Sequence, residues 1–185
     1  MTNSTEINTP RLLLKSITPA IINQLFQTKN KEELLLFFNL DEQSYERLKE
    51  MNEAGMESFR VSLFYFLVID KTSGKVIGEC GFHSWNKAHH RAELYYHLRS
   101  DSDKRKGFMT EAVKEVINFG FNELQLHRVQ ALVANDNAPS IKLLERFKFT
   151  KEGTLREDYL VDGKMEDSEC YSLLKHEWLK INNNL

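Results

Sequence analysis

Between Ser100 and Ala112 the chain reads SDSDKRKGFMTEA, so Lys104, Arg105 and Lys106 stand just before Gly107 and an apolar-periodic stretch that begins at Phe108. Cations and a glycine at the start of a helix suit one kind of chemistry, the binding of an anion. The first N–H groups of a helix have no intrahelical acceptor and carry the positive end of its dipole, and glycine leaves them open to a phosphate. Taken alone, the stretch serves equally as a solvated turn. It lacks the GxxxxGK[ST] pattern of a phosphate loop and the GxGxxG of a dinucleotide site. His89-His90 has no carboxylate or cysteine at ligand spacing, and Cys80 and Cys170 lie far apart with no CxxC. No metal site and no disulfide framework is expected, and a reducing cytoplasm is the expected compartment.

The turn needs a strand before it and a helix after it, and both are legible. AELYYHL, Ala92 to Leu98, alternates as a strand, and Phe108 to Asn122 carries Phe108, Ala112, Val116 and Phe119 along one helical stripe. Upstream, Arg11 to Lys15 reads as a first strand. Thr18-Pro19 caps a helix through Ile21, Ile22, Leu25 and Phe26, and Asp41 caps another with Tyr45, Leu48 and Met51 that stops near Gly55. Leu63 to Ile69 and Val76 to Phe82 form a hairpin about Thr72-Ser73-Gly74-Lys75. The loop Trp85 to His90 then joins them to AELYYHL as an antiparallel meander. Downstream come a strand from Val129 to Ala134, a helix from Asn137 to Arg146, a hairpin turning at Asp162-Gly163, and a closing strand from Glu169 to Trp178. Strand-helix-strand-helix-strand order in the middle allows a parallel pair within otherwise antiparallel strands. The expected class is α/β (α+β), a mixed, mostly antiparallel central sheet flanked by helices.

Composition sets the outer limits. With 185 residues, 41% hydrophobic and 28% charged, and no repeat or low-complexity linker, the chain is expected to form one domain over 1–185 with its core at about 9–179. Lys and Arg number 25 against 27 Asp and Glu, a formal charge of -2, which argues against a nucleic-acid coat. MTNSTEINTPR lacks a basic segment followed by an apolar one, and no run of about 18 apolar residues occurs. Neither secretion nor membrane insertion is expected.

Beyond Gly107, HRVQALVANDNAPSIKLLERFKF (His127 to Phe149) holds a strand, an Asn-rich turn and a helix, trailed by Glu152-Gly153. Together with NTPRLLLK near the start, AELYYHL, and RKGFMTEA, this order of pieces resembles the GNAT N-acetyltransferases, and among them the RimJ/RimL-type branch that acetylates ribosomal-protein alanine. The resemblance spans nearly the whole chain and implies a single-domain GNAT fold and acetyl-CoA as co-substrate. It implies that Lys104-Arg105-Lys106-Gly107-Phe108-Met109, with Thr110, holds the pyrophosphate through main-chain N–H groups. Lys104 stands there for the family's Gln or Arg, and Met109 for its Gly or Ala. The backbone of Tyr96, His97 and Leu98 is implied to pair with the pantetheine arm. Asn137 and Ser140 match an Asn-x-x-Ser in which the amide contacts pantetheine and the hydroxyl lies near the thioester sulfur. Lys148 replaces the family's glycine after this helix, so it must turn left-handed at a cost of roughly 1 kcal/mol, or the helix must close differently.

Acetyl transfer needs a neutral amine, a donor to the developing oxyanion and a proton for the departing thiolate. An unperturbed α-amine titrates at about 7.7 to 8.0 and a lysine at about 10.4, so roughly a tenth of the former is neutral near pH 7 but under a thousandth of the latter. The resemblance makes Glu93 the first candidate base, the alternative being a place on the solvated face or a pairing with the neighbours of Arg91. Asp158, in REDYL, is the second, the alternative being a plain turn carboxylate. Ser140 is the candidate to protonate or hydrogen-bond the leaving sulfur, the alternative being a plain first-turn helix serine. The implied reaction is direct attack in a ternary complex, with a protein N-terminus as acceptor. A polyamine or aminoglycoside-like small amine is the alternative acceptor, and a non-catalytic acyl-CoA sensor the alternative function, suggested by Met109 and Lys148. The acceptor groove is expected between the helical first third and the Tyr159 to Glu166 hairpin. There Glu157, Asp158, Asp162, Glu166, Asp167 and Glu169 could draw a cationic acceptor or simply be solvated. No nucleic acid or membrane partner is expected, and the family makes a homodimer an expectation.

Overall fold

The computed structural model describes residues 4–183. Met1–Asn3 of the polar N-terminus and Asn184–Leu185, both inside the expected 1–185 domain, lie outside the described residues. Eight strands form one sheet: β1 (Glu6–Asn8), β2 (Leu12–Ile17), β3 (Ser62–Asp70), β4 (Val76–Asn86), β5 (Arg91–Leu98), β6 (Arg128–Ala134), β7 (Thr150–Val161) and β8 (Lys164–Leu174). Their order is β1-β2-β3-β4-β5-β6-β8-β7, with every neighbour antiparallel except β5 and β6. This is the mixed, mostly antiparallel sheet that the segment order implied.

Three helices on one face occupy the first third. Thr18 caps α1 (Pro19–Thr28) by accepting from the Ile21 N–H, and Asp41 caps α3 (Glu42–Ala54) by accepting from that of Ser44 at 2.7 Å. Between them lies α2 (Lys31–Phe38), unforeseen although its capping box is in the sequence. Asn30 accepts from Glu33 N, and the Glu33 carboxylate accepts from Asn30 N. Ile22, Leu34, Phe38 and Tyr45 from these helices bury against Leu67 of β3.

The opposite face packs on α4 (Phe108–Asn122), whose Ala112, Val113, Val116, Ile117 and Phe121 are buried. Helix and sheet approach closely at Gly120, where any Cβ would lie 2.6 Å from the Phe82 ring. Phe66, Phe82 and Phe121 are fully buried, and truncating any one removes about 3–5 kcal/mol.

The C-terminal strand begins and ends earlier than the expected Glu169 to Trp178. It ends at Leu174, and Lys175–Asn183 forms a helix that closes the described chain. The Glu177 carboxylate accepts from the Leu174 N–H at 2.9 Å, and the Trp178 ring lies 5.2 Å from Phe121 with its Nε1 donating to Asn118. A helical turn lets Glu177 fold back on the end of β8 while Trp178 reaches α4, whereas a strand would send Glu177 and Trp178 to opposite faces. Two smaller differences are that β4 runs on to Asn86, shortening the meander loop, and that Arg11 precedes β2. The β7–β8 turn has φ of 48° at Asp162 and 80° at Gly163, the left-handed pair of a type I′ turn.

Helix α5 (Ala138–Arg146) joins β6 to β7, and Arg128 of β6 holds Glu152 of β7 with two nitrogens at 2.6 and 2.5 Å, while Ser172 donates to the same carboxylate at 2.7 Å. The Arg128 hydrogen bonds lead these in pulling the Glu152 carboxyl down to about 2. A depressed folded pKa stabilises fully above the ordinary carboxylate value and fades as pH falls toward the folded one. Between about pH 5 and about pH 3 the urea midpoint of the wild type should therefore drop more steeply than that of Glu152→Gln. Parallel slopes would show that the pair contributes nothing to acid stability.

Candidate active site

β5 and β6 pair only through Arg91–Arg128, Ala92–Val129 and Glu93–Gln130. Beyond Glu93 they diverge, so Leu94 to Leu98 keeps its ladder to β4 on one side and has an open edge on the other. Open strand edges present unpaired N–H and C=O groups that an extended ligand can take up. Tyr96, His97 and Leu98 lie along this edge.

The chain then enters the turn that holds the cations. Arg105 has φ 61° and Gly107 φ 80°, and this left-handed pair curls the backbone beneath α4. Among the described residues no side chain caps α4, and its ladder begins with Glu111 N donating to Gly107 O at 3.1 Å. The N–H groups of Phe108, Met109 and Thr110 precede that first bond, as an anion cradle requires. Met109 packs against the core, so its bulk leaves the cradle open. Thr110 accepts from Arg146 at 2.9 Å, which ties α5 to the first turn of α4. The three cations do not converge: Lys104 pairs with Asp101 at 2.6 Å and Lys106 with Asp103 at 3.6 Å. Arg105 is exposed. Backbone groups, more than side-chain charge, fit this turn to a pyrophosphate.

Across the fork, Asn137 caps α5, its carbonyl oxygen accepting from Ser140 N at 3.2 Å, which leaves its amide N–H donors. Burial pushes the Tyr96 phenol up so that it stays protonated, an effect that the neighbouring Ser140 hydroxyl offsets in part. Lys148 has φ 61°, the left-handed ending its place after the helix demands. Cys80, opposite Tyr96, is wholly buried, and burial pushes its thiol up, away from the nucleophilic thiolate.

Glu93, Tyr95 and His97 point to the face covered by α1–α3. Glu93 is only 8% exposed, a burial that demands partners. Gln130 donates to its Oε2 at 3.3 Å, and His83 Nε2 lies 3.5 Å from its Oε1. On the same face of the sheet a cavity of about 780 Å³ opens between the helices and β3–β5, lined on the sheet side by Tyr65, Glu79, Tyr95, His97 and Arg99. Arg99 donates to Glu79 at 2.5 Å and to Asn39 O at 2.7 Å. A second cavity, about 570 Å³, lies beyond the closed end of the fork between Glu57–Ser62 and Trp85–His89.

Asp158 is exposed on β7, with no hydrogen bond or ion pair among the described residues. Its neighbour Tyr159 has its phenol pushed up by partial burial, then by the charges of Glu93 and Asp158, so the hairpin stands within electrostatic reach of Glu93. Part of the acidic hairpin is already engaged: Glu169 with Lys151, and Asp167 with the Glu157 N–H. Nothing local in the sequence marks His83, the Tyr96 hydroxyl or the Glu79–Arg99 pair. All three follow from strand register, in which His83 opposes Glu93 and Glu79 opposes His97, and a turn of known length between β4 and β5 is the signal that could have supplied it.

A family model described as an acetyltransferase (GNAT) domain matches residues 11–150. An uncharacterized N-acetyltransferase, p20, of Bacillus licheniformis is 34% identical over 175 residues, covering 92% of this chain and 96% of that one. Mutant forms of the spermidine/spermine N-acetyltransferase SpeG from Vibrio cholerae match in structure with a TM-score of 0.70 at 20% identity, over 94% of this chain and 99% of theirs. Ribosomal-protein-S5-alanine acetyltransferase from Vibrio fischeri matches with a TM-score of 0.66 at 23% identity, over 94% and 98%. Both structural likenesses are likenesses of fold.

Proposed function

Because the chain belongs to the GNAT acetyltransferase family and is an N-acetyltransferase, we propose that its acceptor is the free N-terminal α-amine of a protein or peptide. The observation that carries this is the charge of the cavity on the Glu93 face of the sheet. Its two carboxylates are both engaged, Glu79 by Arg99 and Asp41 as the cap of α3, while Arg47, Arg99 and His97 bring positive or neutral groups. A polyamine with several charges needs unpaired acids along its length. A peptide end brings one amine, and its carbonyls can accept from arginine.

Acetyl-CoA supplies the activated acyl group as a thioester. The N–H groups at the start of α4 hold its pyrophosphate, with Lys104, Arg105 and Lys106 around them, and the open edge from Tyr96 to Leu98 together with the Asn137 amide aligns the pantetheine arm. Glu93 accepts the proton lost by the acceptor nitrogen as the N–C bond forms. Ser140 Oγ donates a hydrogen bond to sulfur as the C–S bond breaks, and the thiolate takes its proton from water, to which Glu93 releases the proton it gained. Asp158, nearer the solvent, is the other carboxylate in reach of an incoming amine. About a tenth of an α-amine is already neutral near pH 7, so one carboxylate suffices.

The second reading, a polyamine acceptor, draws on the exposed Glu157, Asp158 and Glu166 of the hairpin and on the resemblance to the Vibrio cholerae spermidine/spermine enzyme. Thiol release from acetyl-CoA separates the two, using an alanine-starting peptide with one internal lysine, the same peptide with its N-terminus blocked, and spermidine. The free peptide should exceed spermidine at least tenfold in kcat/KM, and the blocked one should release no thiol. Spermidine as the better acceptor would replace the first reading with the second.

A further inference from the structure

We propose that Arg11 is a positioning residue for the turn before α4, holding the Lys106–Gly107–Phe108 backbone in its anion-binding shape and neutralising Glu111 where the anion must sit. The proposal rests on the reading that this turn holds the pyrophosphate of acetyl-CoA. Two features of the turn call for such a residue. Arg105 and Gly107 are both left-handed, a conformation that a non-glycine residue keeps only when its surroundings fix it. Glu111, in the first turn of α4, favours its own helix but repels a phosphate at the same N–H groups.

Arg11 meets both demands from its place just ahead of β2. Its Nη1 donates to Lys106 O at 2.8 Å, which fixes the turn's carbonyl. Its Nε donates to Glu111 Oε2 at 2.7 Å and its backbone N–H to Glu111 Oε1 at 2.8 Å. The guanidinium also covers the Phe108 ring, 4.7 Å from its centre, and a Cβ on Gly107 would lie 3.4 Å from Nη2. Thr9 completes the clamp by donating to Glu111 Oε1 at 2.6 Å, while its own carbonyl accepts from Lys71 at 2.6 Å. Burial alone would raise the Glu111 carboxyl, and the hydrogen bonds from Thr9 and Arg11, with the Arg11 charge, bring it below its ordinary value. It therefore stays an anion, already matched by a cation. The Arg11 side chain is 47% exposed, so the ion pair adds little to folding stability. What the arrangement does hold is the geometry of the turn. A lysine could neutralise Glu111 but could not also reach the Lys106 carbonyl, because it lacks the planar fork.

The test titrates the full chain and its Arg11→Ala and Arg11→Lys variants with CoA by calorimetry and with pantetheine by NMR. Pantetheine carries the thiol arm without the pyrophosphate or nucleotide. Arg11→Ala should weaken CoA about tenfold and pantetheine less than twofold, with Arg11→Lys between wild type and alanine for CoA. Equal weakening of both ligands, or of neither, overturns the proposal. If the wild type binds CoA and pantetheine equally well, the pyrophosphate reading itself fails, and the role of Arg11 with it.

Discussion

Glu93→Gln is expected to lower kcat about hundredfold while leaving the Kd for acetyl-CoA unchanged. The amide keeps the shape of the carboxylate and can still accept from Gln130, so the fork and its backbone edge are retained. What it loses is the ability to take a proton from the acceptor nitrogen, and general-base catalysis contributes about 10²- to 10⁴-fold. The site supports this role physically. Glu93 lies at the last paired rung of β5 and β6, where the open edge begins, and it faces the cavity side of the sheet. Single-turnover acetylation of the alanine-starting peptide, with acetyl-CoA binding measured in parallel, is the check. A loss of less than threefold would transfer the role to Asp158, with Asp158→Asn then carrying the hundredfold loss, or to water if neither variant slows.

Gly107→Val should weaken acetyl-CoA about hundredfold with little change in thermal midpoint. At φ 80° a β-branched residue is strained, so the turn must open. Opening would pull the N–H groups of Phe108 and Met109 out of convergence, and charge-assisted hydrogen bonds are worth about 1.5–3 kcal/mol each. Two such losses at the low end of that range, about 3 kcal/mol together, account for the expected effect. The core beneath, held by Ala112, Val113 and Val116, begins a turn further on and should not respond. Direct titration with acetyl-CoA decides the matter: affinity within threefold of wild type would mean that the turn is not where the pyrophosphate binds.

Local chemistry is what the sequence makes legible. The caps Thr18 and Asp41, the type I′ pair Asp162-Gly163 and the stripe of α4 are each written within a few residues, and each appears where its pattern placed it. The short helix α2 was legible through Asn30 and Glu33 but has only eight residues, too few for periodicity to announce. The end of β8 was not legible, because Trp178 is helical through its contacts with Asn118 and Phe121, some 60 residues away. The site divides the same way. Gly107, Asn137 and Ser140 occur as a local pattern, whereas the neighbours of Glu93 depend on which rung of the β4–β5 hairpin faces which. His83 becomes its partner only through that register. The clustering of Lys104, Arg105 and Lys106 suggested a convergence of charge that the turn does not make, because Asp101 and Asp103, also in the same stretch, claim two of them.

The fork has a mechanical meaning as well. A sheet joined at its centre by three rungs is two plates, β1–β5 and β6–β8, sharing a narrow seam, with a wedge where further rungs would be. An extended thiol arm lying in that wedge is, geometrically, a ninth strand. Loading the donor and finishing the sheet are then one event, and whatever binds only the folded state adds its binding free energy to that state's stability. On the proposed reading, acetyl-CoA would then bridge the two plates, and the thermal midpoint should rise with its concentration.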